Sequence, residues 1–527
     1  MKRRNLMLGL AAASLPIPAV RAQTAKARVL KFVPQADLAL LDPIQSSAYV
    51  TRNHSVAVYD MLYGVDSLYR PQPQMLVGHA MEDSGRRWTL TLRDGLTFHD
   101  GTPVLARDVV ASLKRWGSVD PFGRTLMETT DDLGAPSDKQ VVFRLKRPFR
   151  LLPNLLGKPA PNLPCIMPER LAKTDGRTAV TEVVGSGPFR FVAAEHVTGS
   201  RAVYERFSAY APRTEAASFL AGGKNVNFDR VEWVTIPDAS TAGAALQAGE
   251  VDWWEQPTAD FLPLLKKNRD LVVEVLEDQG YVAVLRFNHL QPPFDNPAIR
   301  RALLPAVDQA DYMQAVAGDD HAMWRDKVGF FQPDSPMASN AGMEALTGPR
   351  DPDKAKRELQ AAGYRGERVV LLAAGDYPVL NAMSEVCAAM LRQIGMNVDY
   401  QSQDWASVAT RLSSQKPISE GGWSITCNFG TGYGARDPAA HSWLRGMGPK
   451  VPGWGWPTSP GIEELRAKWL DAEDEAEQKR LCEQIQLQAF VDLPYIPLGV
   501  FYFATAYRRS LTGVLKGLPL FWNVRRT

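Results

Sequence analysis

The sequence predicts an α/β fold with a largely parallel sheet, and the alternation of strand-like and helix-like segments in its second half carries that prediction. The strand-like segments are apolar runs bounded by turn residues. The segment between the first two strands has apolar residues at helical spacing, and this helix ends at Gly395. This order implies right-handed crossovers, with helices covering both faces of the sheet. The elements are a strand at 368–374, a helix at 379–394, a strand at 397–400, a helix from Asp404 to about Leu412 and a strand at 423–428.

The rest of the chain shows the same alternation, and its length of 527 residues favours two to four domains. Period-two alternation predicts further strands, and apolar residues three and four apart predict further helices. The segments are strands at 28–33, 88–92 and 140–145, a helix at 106–116 that Gly117 stops, and a helix from Asp351-Pro352 to Gly363.

A sheet of this kind predicts where a ligand binds. Ligands of open α/β sheets lie outside the carboxyl ends of the strands, which here are 375–377 and 428–430. The second end leads into a long loop, 430–460, that is rich in Trp and Tyr. Loops of this length are usually functional or disordered, and the aromatic content argues against disorder. We therefore expect aromatic side chains to close over a bound solute.

The first residues have the three-part pattern of a secretory signal. A basic head is followed by an apolar stretch at 6–20, interrupted by prolines, and then by Val20-Arg21-Ala22 with small residues where a signal peptidase cleaves. Arg3-Arg4 resembles a twin-arginine signal, so both Sec and twin-arginine export stay open. Residues 1–22 are thus predicted to be a cleavable signal peptide, and the mature protein is expected in the periplasm.

Composition argues against one class of protein and does not decide whether the cysteines form disulfides. The formal charge of +2 includes basic residues of the signal segment, so the mature chain is slightly acidic, which argues against nucleic-acid binding. One or two disulfides could form, with three full pairings, although the apolar neighbours of Cys387 and Cys482 favour buried thiols. The four cysteines are Cys165, Cys387, Cys427 and Cys482.

Catalytic and cofactor motifs are missing from the sequence. The seven histidines include no pair at metal-ligand spacing, and no phosphate-binding G-x-x-x-x-G-K-[ST] occurs. Ser413-Ser414-Gln415-Lys416 matches S-x-x-K, but the S-D-N and K-T-G that accompany it in penicillin-recognising enzymes are absent. We therefore expect no enzymatic activity, no metal and no cofactor.

Several segments together resemble family 5 of the solute-binding proteins of ABC importers, the group that binds dipeptides, oligopeptides and nickel. The resemblance spans nearly the whole mature chain, with its segments in the family's order. They are Leu41-Asp42-Pro43, residues 88–103 (WTLTLRDGLTFHDGTP), Gly185-Ser186-Gly187-Pro188-Phe189, residues 245–252 (ALQAGEVD), Pro292-Pro293-Phe294-Asp295 and Arg300-Arg301-Ala302-Leu303.

The resemblance implies a two-lobed periplasmic binding protein (type II, large peptide-binding class). Lobe 1 would comprise 23–283, with an inserted subdomain at about 70–183, and lobe 2 would comprise 284–495. Residues 496–527 would return to lobe 1. Such a protein closes over a solute and delivers it to a membrane permease with ATPase subunits; we expect it to be a monomer.

The cleft residues follow from the strand ends and the resemblance. Aromatic side chains would bury the apolar part of a peptide-like or other amphipathic solute, and polar ones would orient its polar end. Asp437 corresponds by spacing to an aspartate that binds the ligand's α-amino group in peptide-binding members of the family. Contact with the ligand and a simple surface Arg-Asp turn are equally favoured for this residue. The predicted ligand-binding residues are Tyr49, Tyr281, Tyr377, Trp423, Asn428, Tyr433, Asp437 and Trp454.

Two other classes of function stay open. A secreted hydrolase acting on a peptide or glycoside would turn its substrate over, whereas a binding protein would return its ligand intact. An adhesion or scaffold module would bind no small ligand saturably.

Overall fold

The computed structural model describes residues 28–450 and 453–527, and the chain forms two lobes, each built on one large sheet. The predicted signal peptide lies outside the described residues. The α-helices are Tyr49–Val58, Ala106–Val119, Pro121–Thr129, Leu152–Leu156, Glu169–Ala172, Ala239–Ala248, Leu262–Lys267, Pro297–Arg301, Gln309–Ala317, Glu344–Thr347, Pro352–Ala361, Pro378–Gln393, Trp405–Leu412, Pro460–Asp471 and Glu475–Asp492.

The sheet of lobe 1 has seven strands. Val29–Val33 is parallel to both of its neighbours, Arg230–Val234 and Trp253–Trp254, so the carboxyl ends of these three strands meet at one edge. In spatial order the strands are Leu271–Val275, Ala504–Arg508, Trp253–Trp254, Val29–Val33, Arg230–Val234, Arg201–Arg206 and Phe189–Phe191.

The sheet of lobe 2 has six strands and is mixed. Arg368–Ala374 is parallel to Asn397–Gln403 and to Ile425–Thr431, as predicted, whereas Tyr281–Phe287 runs antiparallel to Ile425–Thr431. The α/β fold is therefore confirmed, and the parallel part is limited to those three strands. In spatial order the strands are Trp324–Arg325, Tyr495–Phe501, Tyr281–Phe287, Ile425–Thr431, Arg368–Ala374 and Asn397–Gln403.

The chain crosses between the lobes at residues 276–280 and 502–503. The predicted lobe junctions, 283/284 and 495/496, each fall inside a strand of the lobe 2 sheet. Residues on both sides of each predicted junction pair with strands of lobe 2, so the crossings lie in the segments just outside these strands. After the second crossing, Ala504–Arg508 joins the lobe 1 sheet, and Phe521 packs its ring 5.1 Å from Phe32.

A smaller antiparallel sheet lies in the region predicted to be the inserted subdomain. Its helix Ala106–Val119 continues through Gly117, which was expected to stop it. A side chain at Gly117 would meet Met127 of the next helix at 2.5 Å, so this glycine permits two helices to approach closely. The four strands, in spatial order, are Leu76–Glu82, Arg87–Leu92, Gln140–Leu145 and Thr130–Ser137. Two further strand pairs are Tyr63–Val65 with Pro71–Pro73 and Leu511–Thr512 with Arg525–Arg526.

All four cysteines are buried thiols in the structure. Among the helices that the structure describes, none combines the length and the apolar character needed to cross a membrane.

Candidate functional site

Four aromatic rings meet where the two lobes face each other. Tyr49 begins a lobe 1 helix, and its ring lies 5.4 Å from that of Tyr281 and 6.3 Å from that of Phe429. Tyr377 follows a lobe 2 strand, and its ring lies 5.8 Å from Phe429. The Tyr49–Tyr281 pair is edge-to-face, a favoured arrangement of aromatic rings, and the other two pairs are tilted. The structure thus brings three of the predicted site residues into one aromatic surface that includes both lobes.

The second chain crossing extends this surface. Phe501 stacks on Tyr281 with ring centroids 5.7 Å apart, and Phe503 approaches the same ring to 4.9 Å. The aromatic surface therefore lies directly on the hinge, where movement of one lobe against the other would change its contacts.

A buried ion pair lies beside the rings on the lobe 1 side. Arg52 donates from Nη1 and Nη2 to the two carboxylate oxygens of Glu277, at 3.1 and 3.4 Å. The Tyr281 hydroxyl donates to the same carboxylate at 2.7 Å, and the guanidinium lies 4.9 Å from the centroid of the Tyr49 ring. The positive charge of Arg52 is thus neutralised by Glu277, a residue of the first chain crossing.

A second carboxylate, that of Glu255, has no such partner. Glu255 follows Trp253–Trp254 at the carboxyl edge of the lobe 1 sheet and accepts hydrogen bonds from Asn53 Nδ2 at 2.6 Å and from the Gln35 amide at 2.8 Å. Burial raises the pKa of Glu255 to about 7. Burial, and then the charge of Glu255, raise the pKa of Tyr377 to about 12, which couples this carboxylate to lobe 2.

Tyr433 contributes to a separate contact between the lobes. Its ring lies 5.9 Å from that of Tyr69 in lobe 1, and the Arg436 guanidinium lies 5.2 Å from the same Tyr69 ring. Arg436 also donates to Gln279 Oε1 at 3.0 Å, and the Tyr69 hydroxyl donates to Asp278 at 3.0 Å. Tyr69 thereby connects the lobe 2 loop with the hinge segment.

Asp437 is engaged within its own loop. Its carboxylate accepts a hydrogen bond from the Ala440 amide at 2.9 Å, and its backbone carbonyl accepts one from the His441 amide. Burial raises the pKa of Asp437, and the hydrogen bond from Ala440 opposes this effect. The geometry is that of a turn cap, the alternative that the sequence left equal to ligand contact.

Three predicted site residues lie away from the ring cluster. Trp423 precedes the strand Ile425–Thr431, at the end opposite the cleft, and is fully buried against Trp456. Trp454 donates from its indole to Ser413 and packs against Trp405 on the second lobe's outer helix.

Asn428 is the third predicted site residue that lies away from the ring cluster. Alternation along a strand directs its side chain to the face opposite that of Phe429, and its Oδ1 accepts a hydrogen bond from the Phe429 amide at 2.7 Å. The prediction placed these residues by nearness to a strand end, whereas strand boundaries and alternation decide which side chains face the cleft.

Sequence reasoning missed most of the polar and charged residues beside the rings and several of the aromatic ones. Phe429 belonged to a strand end that the sequence did indicate, and Arg52 is one helical turn from Tyr49, so both had a detectable signal. Glu255 and Glu277 are separated from their partners by long stretches of sequence and had none. The missed residues are Arg52, Asn53, Tyr69, Glu255, Glu277, Phe429, Arg436 and Phe503.

The fold and the site together define a two-lobed ligand-binding protein with its cleft at a hinge. Residues 70–442 match the family model described as bacterial extracellular solute-binding proteins, family 5 Middle. The chain belongs to this family, as its sequence motifs predicted, and it is therefore a solute-binding protein.

A relative agrees with this assignment, and solved structures agree with the fold. The chain is 37% identical, over 100% of its length and 99% of the relative's, to a probable peptide ABC transporter periplasmic-binding protein, y4tO, from Sinorhizobium fredii. It resembles the solved dipeptide binding protein from Pseudoalteromonas sp. SM9913 in complex with Met-Leu, with TM-score 0.78, 20% identity and coverage of 95% and 100% of the two chains. It also resembles AgaA from A. tumefacien R10 in complex with agropinic acid, with TM-score 0.79, 21% identity and coverage of 95% and 99%.

Proposed function

We propose that this protein captures a short peptide or similar amphipathic organic solute in the periplasm and delivers it, unchanged, to the permease of an ABC importer. The observation that carries the proposal is the aromatic surface at the hinge, which takes rings from both lobes. The peptide assignment is supported by the description of the Sinorhizobium relative, which aligns with the whole chain.

The aromatic surface gives closure a physical basis. A ligand between the lobes would contact Tyr49 on one side and Tyr377 with Phe429 on the other. Only contacts that are better satisfied in the closed form shift the equilibrium toward it, and contacts to both lobes meet that condition. The closed form, acting as a monomer, would then dock on the permease, whose ATPase subunits supply the energy.

The test is ligand-dependent stabilisation of the mature protein. With a panel of dipeptides such as Ala-Leu, Leu-Leu and Met-Leu, a true ligand at 100 times its Kd raises the free energy of unfolding by about 2.7 kcal/mol. Mass spectrometry of the released ligand should recover it intact. A chemically altered ligand, or no stabilisation by either the dipeptides or an amphipathic amine such as phenethylamine, would contradict the proposal.

A matched pair of variants locates the site. Tyr377→Ala removes a ring of the hinge surface, and Trp454→Ala removes a ring of similar exposure on the outer side of lobe 2. We expect Tyr377→Ala to weaken dipeptide binding about tenfold, the order expected for a buried aromatic contact, and Trp454→Ala to leave it unchanged. Equal effects of the two would remove the hinge surface from the site.

A further inference from the structure

Most buried acidic side chains of lobe 1 pair with a cation, and Asp108 and Glu255 are exceptions. Asp42 pairs with Arg115, Asp60 with Lys224, and Asp120 with Lys158. Asp66 and Asp252 pair with Arg70 and Arg526. In the part of the chain that the structure describes, Glu255 accepts hydrogen bonds only from neutral donors, an amide side chain and a backbone amide.

Asp108 shows how a buried carboxylate in this lobe remains stable without a cation. It accepts hydrogen bonds from the Leu105 and Glu169 amides at the N-terminus of the helix Ala106–Val119. The partial positive charge of a helix N-terminus favours an anion there. Glu255 follows a two-residue strand and has no helix behind it, so its negative charge is the less compensated of the two.

The other acidic groups near the cleft are already occupied. Glu277 accepts hydrogen bonds from Nη1 and Nη2 of Arg52 and from the Tyr281 hydroxyl. Asp437 caps a turn through the Ala440 amide. Glu255 is 6% exposed, and the cation whose charge reaches it, Arg52, is already paired with Glu277, so burial of the carboxylate is costly. A cation arriving with the ligand would remove that cost.

We propose that Glu255 is the anionic anchor of the cleft and that the ligand carries an ammonium group next to an apolar group. The inference rests on the proposed function and specifies its substrate class: the ammonium pairs with Glu255 in lobe 1 while the apolar group packs on the rings of Tyr49, Tyr377 and Phe429. The anchor is thus on the lobe opposite Asp437, the residue that spacing had indicated for the same task. A peptide N-terminus has this chemistry, and so does another amphipathic amine.

Calorimetric titration of the mature protein with three kinds of probe tests the inference. The probes are Leu-Leu and Met-Leu, their N-acetylated forms, which lack the ammonium, and phenethylamine, which has an ammonium and a ring but no peptide bond. A charge-assisted bond implies that N-acetylation weakens binding by about tenfold or more. Binding of phenethylamine as tight as that of the dipeptides would assign the site to amphipathic amines in general.

The variants Glu255→Gln and Asp437→Asn identify the anchor. Glu255→Gln keeps the size of the side chain and removes its charge, so the preference for the free amine should fall to within about twofold. Asp437→Asn should retain the preference. Thermal melting checks that both variants fold, and if Glu255→Gln does not, the comparison of free and N-acetylated dipeptides on the unaltered protein still decides.

The outcomes separate the two proposals. Equal binding of free and N-acetylated dipeptides, or a preference that survives Glu255→Gln, overturns the anchor and leaves peptide capture standing. A preference lost in Asp437→Asn instead would move the anchor to lobe 2. If neither dipeptide nor phenethylamine binds the unaltered protein, both the anchor and the proposed function are contradicted.

Discussion

The two lobes bury positive charge in different ways. In lobe 1, Arg115 donates to both oxygens of Asp42, at 3.1 and 2.7 Å, with each side chain almost fully buried. In lobe 2, Arg300 donates instead to the backbone carbonyls of Phe294 and Leu493, at 2.6 and 3.1 Å. Burial without a contacting carboxylate lowers the pKa of Arg300 to about 10.

A related difference separates the two sides of the cleft, one of which carries charged groups and the other aromatic rings. The lobe 1 side carries the Arg52–Glu277 ion pair and the carboxylate of Glu255, whereas the lobe 2 side carries the rings of Tyr377 and Phe429. Charged groups held by hydrogen bonds within one lobe are oriented before the ligand arrives. The lobe 1 side is therefore suited to position a polar group and the lobe 2 side to cover an apolar one.

The largest expected effect is on the ion pair of lobe 1. Asp42→Ala leaves the buried guanidinium of Arg115 without its countercharge, so we expect the free energy of unfolding to fall by about 3–5 kcal/mol. Urea denaturation measures it. The control is Asp334→Ala, which breaks an exposed pair with Arg325 in lobe 2 and should cost less than about 1 kcal/mol. Similar losses in both variants would contradict the distinction.

The next effect concerns the unpaired carboxylate of lobe 1. Burial raises the pKa of Glu255 from 4.5 to about 7, so between these pH values the folded protein binds more protons than the unfolded chain. The contribution of Glu255 to the stability of the ligand-free protein should therefore fall as pH rises from 4.5 to 7, by roughly 3 kcal/mol at most, and then level off.

Comparison with Glu255→Gln isolates this contribution, because that variant keeps the other titrating groups. It also keeps the charges of Arg52 and Glu277, which act on the carboxylate, and the neighbouring Tyr377. Chemical denaturation of both proteins across this pH range measures the difference in the free energy of unfolding. A difference that stays constant with pH would show that Glu255 keeps an ordinary pKa.

A smaller effect is expected from the carbonyl-bound arginine of lobe 2. Arg300→Met fills the space of the side chain but leaves buried carbonyls, including those of Phe294 and Leu493, without their donor. We expect a loss of about 1–3 kcal/mol by urea denaturation, below that of Asp42→Ala. The neighbouring Arg301→Met, which removes an exposed hydrogen bond to Val491, is the matched control and should cost less than about 1 kcal/mol. A loss for Arg300→Met as large as that for Asp42→Ala would remove the contrast between the lobes.

The smallest effect is on the contact between the lobes at Tyr69. Tyr69→Ala removes the ring that Arg436 and Tyr433 approach, a contact that links lobe 1 to the lobe 2 loop. A cation–π contact at a partly exposed site contributes about 0.5–1 kcal/mol, so dipeptide affinity should fall about two- to fivefold. Calorimetric titration measures it, with the exposed neighbour Leu68→Ala as control. Unchanged affinity in Tyr69→Ala would show that this contact does not favour closure.

Local pattern predicted the elements better than the site. Arg368–Ala374 has the predicted bounds, and Asp404 caps its helix through the Ser407 amide, because apolar periodicity and caps depend on neighbouring residues. The strand expected at 423–428 is instead Ile425–Thr431, and this shift leaves Trp423 outside the strand and in the core. Which face of a strand looks into the cleft depends on its register with other strands, which a single segment does not encode.

By itself the sequence determined the α/β class, the family and the aromatic character of the strand ends. Sequence motifs and periodicity are set by residues that are close together in the chain. Tertiary structure alone decided which groups share the cleft. Glu255 and Asn53 are about two hundred residues apart in the chain, and so are Arg52 and Glu277. These pairs form because three parallel strands end at one edge of the sheet and because the hinge brings the lobes together. Such long-range packing cannot be deduced from the residues that neighbour each group in the sequence.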